Sequence, residues 1–127
     1  ILINLTGITR FKILDEIVND KLYREFKVTY EIFKRDLSRE IEEINIYNLM
    51  HKTKIFFERN GLLLNWKEFE KLDQAQQINT LAMISPITNE EKQKLLETVS
   101  LDEKVKTLIS IISFYLHGVS FENQTIQ

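Results

Sequence analysis

Residues 78–116 read INTLAMISPITNEEKQKLLETVSLDEKVKTLISIISFYL, and the punctuation inside this stretch decides the fold. It predicts three helices separated by two short turns. One helix closes over Asn79 to Ser85, and Pro86 stops it, because proline lacks a backbone donor and disfavours a helical residue before it. Thr88 opens the next helix with Glu91 three residues on, and Ser100 opens the last with Glu103 three residues on. In both, the hydroxyl is placed to accept an orphan amide of the first turn while the carboxylate reaches back to the amide of the cap residue. The last helix carries Val105, Leu108, Ile109, Ile112, Tyr115 and Leu116 on one face, the spacing of a buried stripe. Gly118, just after His117, predicts a left-handed stop. These features specify helical packing and name no reaction.

Upstream, the period of the apolar residues is also helical. A long helix is predicted from Leu37 to about Arg59, capped by Asp36 or Ser38, with Leu37, Ile41, Ile44, Ile55 and Phe56 as its buried positions. Asn60-Gly61 is a stop signal, followed by an apolar connector, Leu62-Leu63-Leu64. Asn65 with Glu68 starts a short helix, and Leu64 with Phe69 occupies the positions of a hydrophobic staple; Trp66, Phe69 and Leu72 form its apolar side. Asp73 with Gln76 starts another, with Ala75, Ile78, Leu81 and Ala82 facing a core. Five helices with short connections predict a compact bundle of antiparallel neighbours.

The first part of the chain has a different period. Ile1 to Thr6 alternates as a strand that Gly7 interrupts, Arg10 to Val18 continues as strand, and Asn19-Asp20-Lys21 is a turn. From Glu25 to Phe33, Phe26, Val28, Tyr30 and Ile32 face one way while Glu25, Lys27, Thr29 and Glu31 face the other, as in an antiparallel sheet. The fold class is therefore α+β: a remnant antiparallel sheet of two or three strands, then a bundle of about five helices. Boundaries are expected at residues 1–36 for the sheet part, 37–118 for the helices and 119–127 for a tail. So small a sheet leaves unpaired edges, through which Ile1–Leu5 or Phe26–Ile32 would join two copies in a homodimer.

The totals exclude several classes. At 127 residues the chain suffices for one hydrophobic core. A net charge of −2, with acids and bases interspersed, argues against nucleic acid as a partner. The absence of cysteine removes disulfides, thiolate metal sites and cysteine nucleophiles, and suits a cytoplasmic location. No apolar run approaches the roughly 20 residues of a membrane span, so no membrane partner is expected. Because the sequence begins with Ile1 inside a strand-like pattern, a fragment of a longer protein is expected.

Candidate chemistry is thin. His51 and His117 lie far apart, with no histidine or cysteine at helical ligand spacing; His51 reads as a polar helix residue and His117 as a last-turn residue favourable to the helix dipole. Carboxylate pairs occur at Glu42-Glu43, Glu90-Glu91 and Asp102-Glu103, the last two in first helical turns where capping explains them. The glycines at 7, 61 and 118 are too scattered for a phosphate loop. Ser100 with Lys104 reads as helix surface with no oxyanion-hole motif beside it. No catalytic group, cofactor or metal site is expected. What remains is a dense apolar cluster, Phe56, Phe57, Leu62, Leu63, Leu64 and Trp66, which forms the bundle core or the contact with the sheet, or else stays partly exposed as a groove for unfolded or extended peptide.

Two separated motifs carry a family resemblance. The run from Pro86 to Ile109, PITNEEKQKLLE followed by SLDEKVKTLI, resembles the closing segment of the Lon protease amino-terminal domain, where an "sP-x-x-x-x-EKQ-x-LLE" turn-and-helix precedes an "L-x-x-R-x-x-x-L" helix. Far upstream, Leu5-Thr6-Gly7-Ile8-Thr9-Arg10-Phe11 is similar to the "G-x-x-R-F/V" strand of the same domain. Their order and separation match that family, most closely its short bacterial members carrying this domain alone. Lys104 stands where an arginine would be expected, keeping the charge but not the planar fork. The resemblance implies that earlier strands of a pseudo-barrel subdomain are missing. It also implies a non-catalytic domain that recognises unfolded or substrate proteins, lacking the ATPase loop and serine–lysine dyad of full-length Lon proteases. The rival readings are a structural or oligomerising module, and nucleic-acid binding through the pseudo-barrel by fold analogy alone.

Overall fold

A computed structural model describes residues 1–38 and 43–125, with side chains through residue 118. The chain divides into two units, Ile1–Ile41 and Glu42–Gln127.

The first unit is a hairpin. Strands β1 (Lys12–Ile17) and β2 (Glu25–Thr29) pair antiparallel, with Lys12 opposite Thr29 and Ile17 opposite Glu25. The register shifts between Ile13 and Asp15, so Leu14 is the extra residue of a bulge and the simple alternation of Ile13 against Leu14 is broken. The expected strand over Ile1–Thr6 does not form: its alternation is strand-like, but none of the described residues supplies it with a hydrogen-bonded ladder. The second strand ends at Thr29, and Glu31–Leu37 is a 3-10 turn where strand was expected through Phe33.

That turn buries Phe33, and the Arg10 guanidinium lies 4.3 Å over its ring. Arg10 Nε and its backbone N–H donate to Asp36 Oδ2 at 2.8 and 3.0 Å, and Nη2 donates to Asp36 Oδ1 at 2.7 Å. This two-pronged, charge-assisted fork ties the segment before β1 to the turn after β2. Nearly every other apolar side chain of the unit is exposed.

Among its described residues the second unit contains five α-helices: α1 (Tyr47–Arg59), α2 (Trp66–Phe69), α3 (Gln74–Ile84), α4 (Asn89–Glu97) and α5 (Leu101–Thr125). Helix α1 starts at Tyr47, well after the expected Leu37, and just before it the backbone of Ile44 is tied to a side chain of α3. Ile44 N–H donates to Gln74 Oε1 at 3.0 Å, and Ile44 C=O accepts from Gln74 Nε2 at 2.5 Å. The buried face of α1 is Leu49, Thr53, Phe56 and Phe57. Of the expected positions, Leu37 is exposed, Ile44 and Ile55 are half-buried, and Ile41 lies outside the described residues.

The caps form largely as the sequence dictates. Asp73 with Gln76 and Thr88 with Glu91 make complete capping boxes, and Asn65 Oδ1 accepts from Glu68 N–H. At α5 the Ser100 hydroxyl accepts from Glu103 N–H at 3.1 Å, but the Glu103 carboxylate takes the amide of Val99 instead of that of Ser100. Ser85, fully buried, donates its hydroxyl to Leu81 C=O at 2.6 Å where Pro86 ends α3. Gly118 does not stop α5, which continues to Thr125: Val119 to Glu122 offers no breaker, and an internal glycine costs a helix only about 1 kcal/mol. The core joins Leu49, Phe56, Phe57, Phe69, Ile78, Leu81, Leu95, Val105, Leu108 and Ile112.

Candidate functional site

The connector between α1 and α2 is built by the sequence on both sides. Asn60 ends α1, and Gly61 takes φ +67°, a left-handed conformation that a side chain would strain. Gly61 N–H donates to Glu58 C=O at 3.1 Å and Leu62 N–H to Phe57 C=O at 2.9 Å, the paired bonds of a Schellman stop. On the other side Asn65 caps α2. Both ends of the three-leucine run are thus pinned.

The six residues of the apolar cluster separate here. Phe56 and Phe57 are 3% and 2% exposed and belong to the core; Leu64 and Trp66 are half-buried against it. Leu62 is 40% exposed, in the position whose contact with Phe57 accompanies a Schellman stop. Leu63 is fully exposed. Trp66 meets Phe57 at 6.0 Å between ring centroids and Phe69 edge-on at 5.5 Å, and Lys54 Nζ lies 5.1 Å from the Trp66 ring centre. Sequence reasoning missed Lys54, whose pairing with Trp66 spans a turn and leaves no local signal. It also missed Arg59, whose Nη1 donates to Leu116 C=O at 3.2 Å.

The other candidates acquire structural roles. His51 is exposed and stacks on Tyr47, and His117 is exposed at the surface of α5. No cluster of three or more metal-binding side chains occurs among the described residues. Glu42 lies outside them, which leaves the Glu42-Glu43 pair undescribed. Burial pushes the Glu91 carboxyl up, but the amide and hydroxyl of Thr88, the Tyr115 hydroxyl and nearby Lys94 outweigh it and hold Glu91 below the usual carboxylate range. Tyr115 donates to Glu91 Oε2 at 2.8 Å, and that bond, reinforced by burial, raises its own pKa. Lys104, expected on the surface, is buried at only 7% exposure, and its ammonium donates to Asn79 Oδ1 on α3 at 2.7 Å.

A family model described as the ATP-dependent protease La (LON) substrate-binding domain matches residues 1–113. The chain belongs to that family. No curated protein and no solved structure matches the chain. The residues that carried the Lon resemblance hold the fold together: Arg10 forms the fork to Asp36, Glu91 binds Thr88 and Tyr115, Leu95 and Leu108 are core, and Lys104 ties α5 to α3. No helix among the described residues is long and apolar enough to cross a membrane.

Proposed function

We propose that this Lon-family chain is a non-catalytic recognition domain for unfolded or substrate proteins, contributing neither ATP hydrolysis nor peptide cleavage, and working in the cytoplasm. The observation carrying this reading is the match to a substrate-binding domain over residues 1–113. It is supported by the connector, where Leu62, Leu63, Leu64 and Trp66 present apolar surface beside the core while Phe56 and Phe57 serve as its buried footing. The test is capture of a fluorescently labelled, permanently unfolded model protein by the 127-residue chain, read by anisotropy. Saturable binding is expected; its absence up to high micromolar concentrations would refute the reading.

A second reading, a homodimer formed through strand edges, draws on the two-stranded sheet and the exposed Ile1, Ile3 and Leu5. Sedimentation would show a concentration-dependent dimer; a clean monomer at all concentrations would remove it.

A further inference from the structure

We propose that the α1–α2 connector selects extended peptide segments in which an apolar residue is flanked by Asp or Glu, with Leu63 as its contact point; this rests on the recognition reading above. A single exposed leucine is ordinary. Leu63 differs in its mounting: the Schellman stop fixes the residue before it, and Leu64, half-buried against the core, and the Asn65 cap fix those after it. Docking there costs little ordering entropy.

The charges flanking it in sequence supply the selectivity. Between residues 54 and 67 the ionisable side chains are Lys54, Arg59 and Lys67 against one carboxylate, Glu58, although the whole chain is net negative. Among the described residues none of these three cations forms an ion pair, and the next carboxylate, Glu68, is taken by Lys71 at 2.7 Å. A segment with acidic flanks gains complementary charge at this edge, and one with basic flanks is repelled. Nucleic acid fits less well: the Trp66 ring that would stack a base already meets Lys54, Phe57 and Phe69, and Leu63 offers nothing to a phosphate.

Trp66 is the only tryptophan, so its emission reports on this edge directly. The experiment titrates the full chain with two peptides sharing one central leucine-phenylalanine anchor, one flanked by Asp/Glu and one by Lys, beside the unfolded model protein and a single-stranded oligonucleotide. The acidic peptide should bind about tenfold tighter than the basic one, with the difference shrinking as salt rises. Leu63→Ser should weaken the acidic peptide about tenfold at an unchanged melting temperature. Lys54→Gln combined with Lys67→Gln should erase the preference between flanks while keeping anchor binding. Equal binding of the two peptides, or indifference to Leu63→Ser, overturns the inference while capture of the unfolded protein leaves the recognition reading standing. Failure of every protein ligand removes both. An oligonucleotide that binds more tightly than the acidic peptide and ignores Leu63→Ser also overturns it.

Discussion

The hairpin unit and the helical unit are held together by different physics. Among the described residues of the hairpin unit a single apolar side chain, Phe33, is buried, and its order rests on the β1–β2 ladder and two guanidinium–carboxylate forks: Arg10–Asp36, with the Phe33 ring beneath it, and the more exposed Arg24–Glu16. The helical unit buries a continuous cluster from four of its helices together with Phe69 of α2, and its polar groups act mainly at helix ends. Apolar burial is non-directional and tolerates small shifts, whereas a two-pronged fork is lost when either partner changes.

The largest effect should come from the core. Leu108→Ala, at a fully buried position, should cost about 2–5 kcal/mol, read as a fall in the thermal midpoint of helical circular dichroism. Next, Asp36→Asn should weaken the fork, whose side chains are 22% and 18% exposed, by about 1–2 kcal/mol. Hydrogen exchange should then quicken at β1 and β2 amides while protection in α3 and α5 is unchanged. If the helical amides lose protection equally, the contrast between the units is broken.

Two smaller changes sharpen it. The Thr53 hydroxyl is fully buried in α1 with no hydrogen-bond partner among the described residues, so Thr53→Val should stabilise by about 1 kcal/mol in urea denaturation. Glu91 has a lowered folded pKa, so its contribution is fully present above its ordinary value of 4.5 and is lost as the pH falls through the lower, folded value. Acid titration should therefore destabilise the native chain more steeply below that point than it does Glu91→Gln. Parallel acid curves would show that the Thr88–Glu91–Tyr115 contact contributes nothing measurable.

The same division governs what was legible in the sequence. Caps at Asn65, Asp73 and Thr88 and the stop at Asn60-Gly61 are local chemistry, complete within a few residues, and the structure has them. Elements that depend on distant partners read poorly. Ile1–Thr6 has a strand's alternation but no pairing strand among the described residues, and Tyr30–Phe33 turns because Phe33 and Asp36 answer Arg10. The long helix expected from Leu37 starts at Tyr47 because Gln74, distant in sequence, claims the backbone of Ile44. In the apolar cluster, composition alone did not distinguish Phe57, the core anchor of the stop, from Leu63, which none of the described residues covers. Lys104 hid in the same way, since its partner Asn79 sits on another helix.

The self-contained helix starts at Asp73, Thr88 and Ser100 also bear on how quickly the chain reaches its native state. Each lets its helix nucleate without waiting for remote residues, and the α3–α4–α5 run closes only short loops. Docking α1 against α5, sealed by Arg59 on Leu116, joins residues 57 positions apart and carries the greatest chain-closure entropy among these steps. That closure is expected to set the folding rate of the helical unit, so mutations at the α1–α5 seam should slow refolding more than equally destabilising ones between α3 and α4.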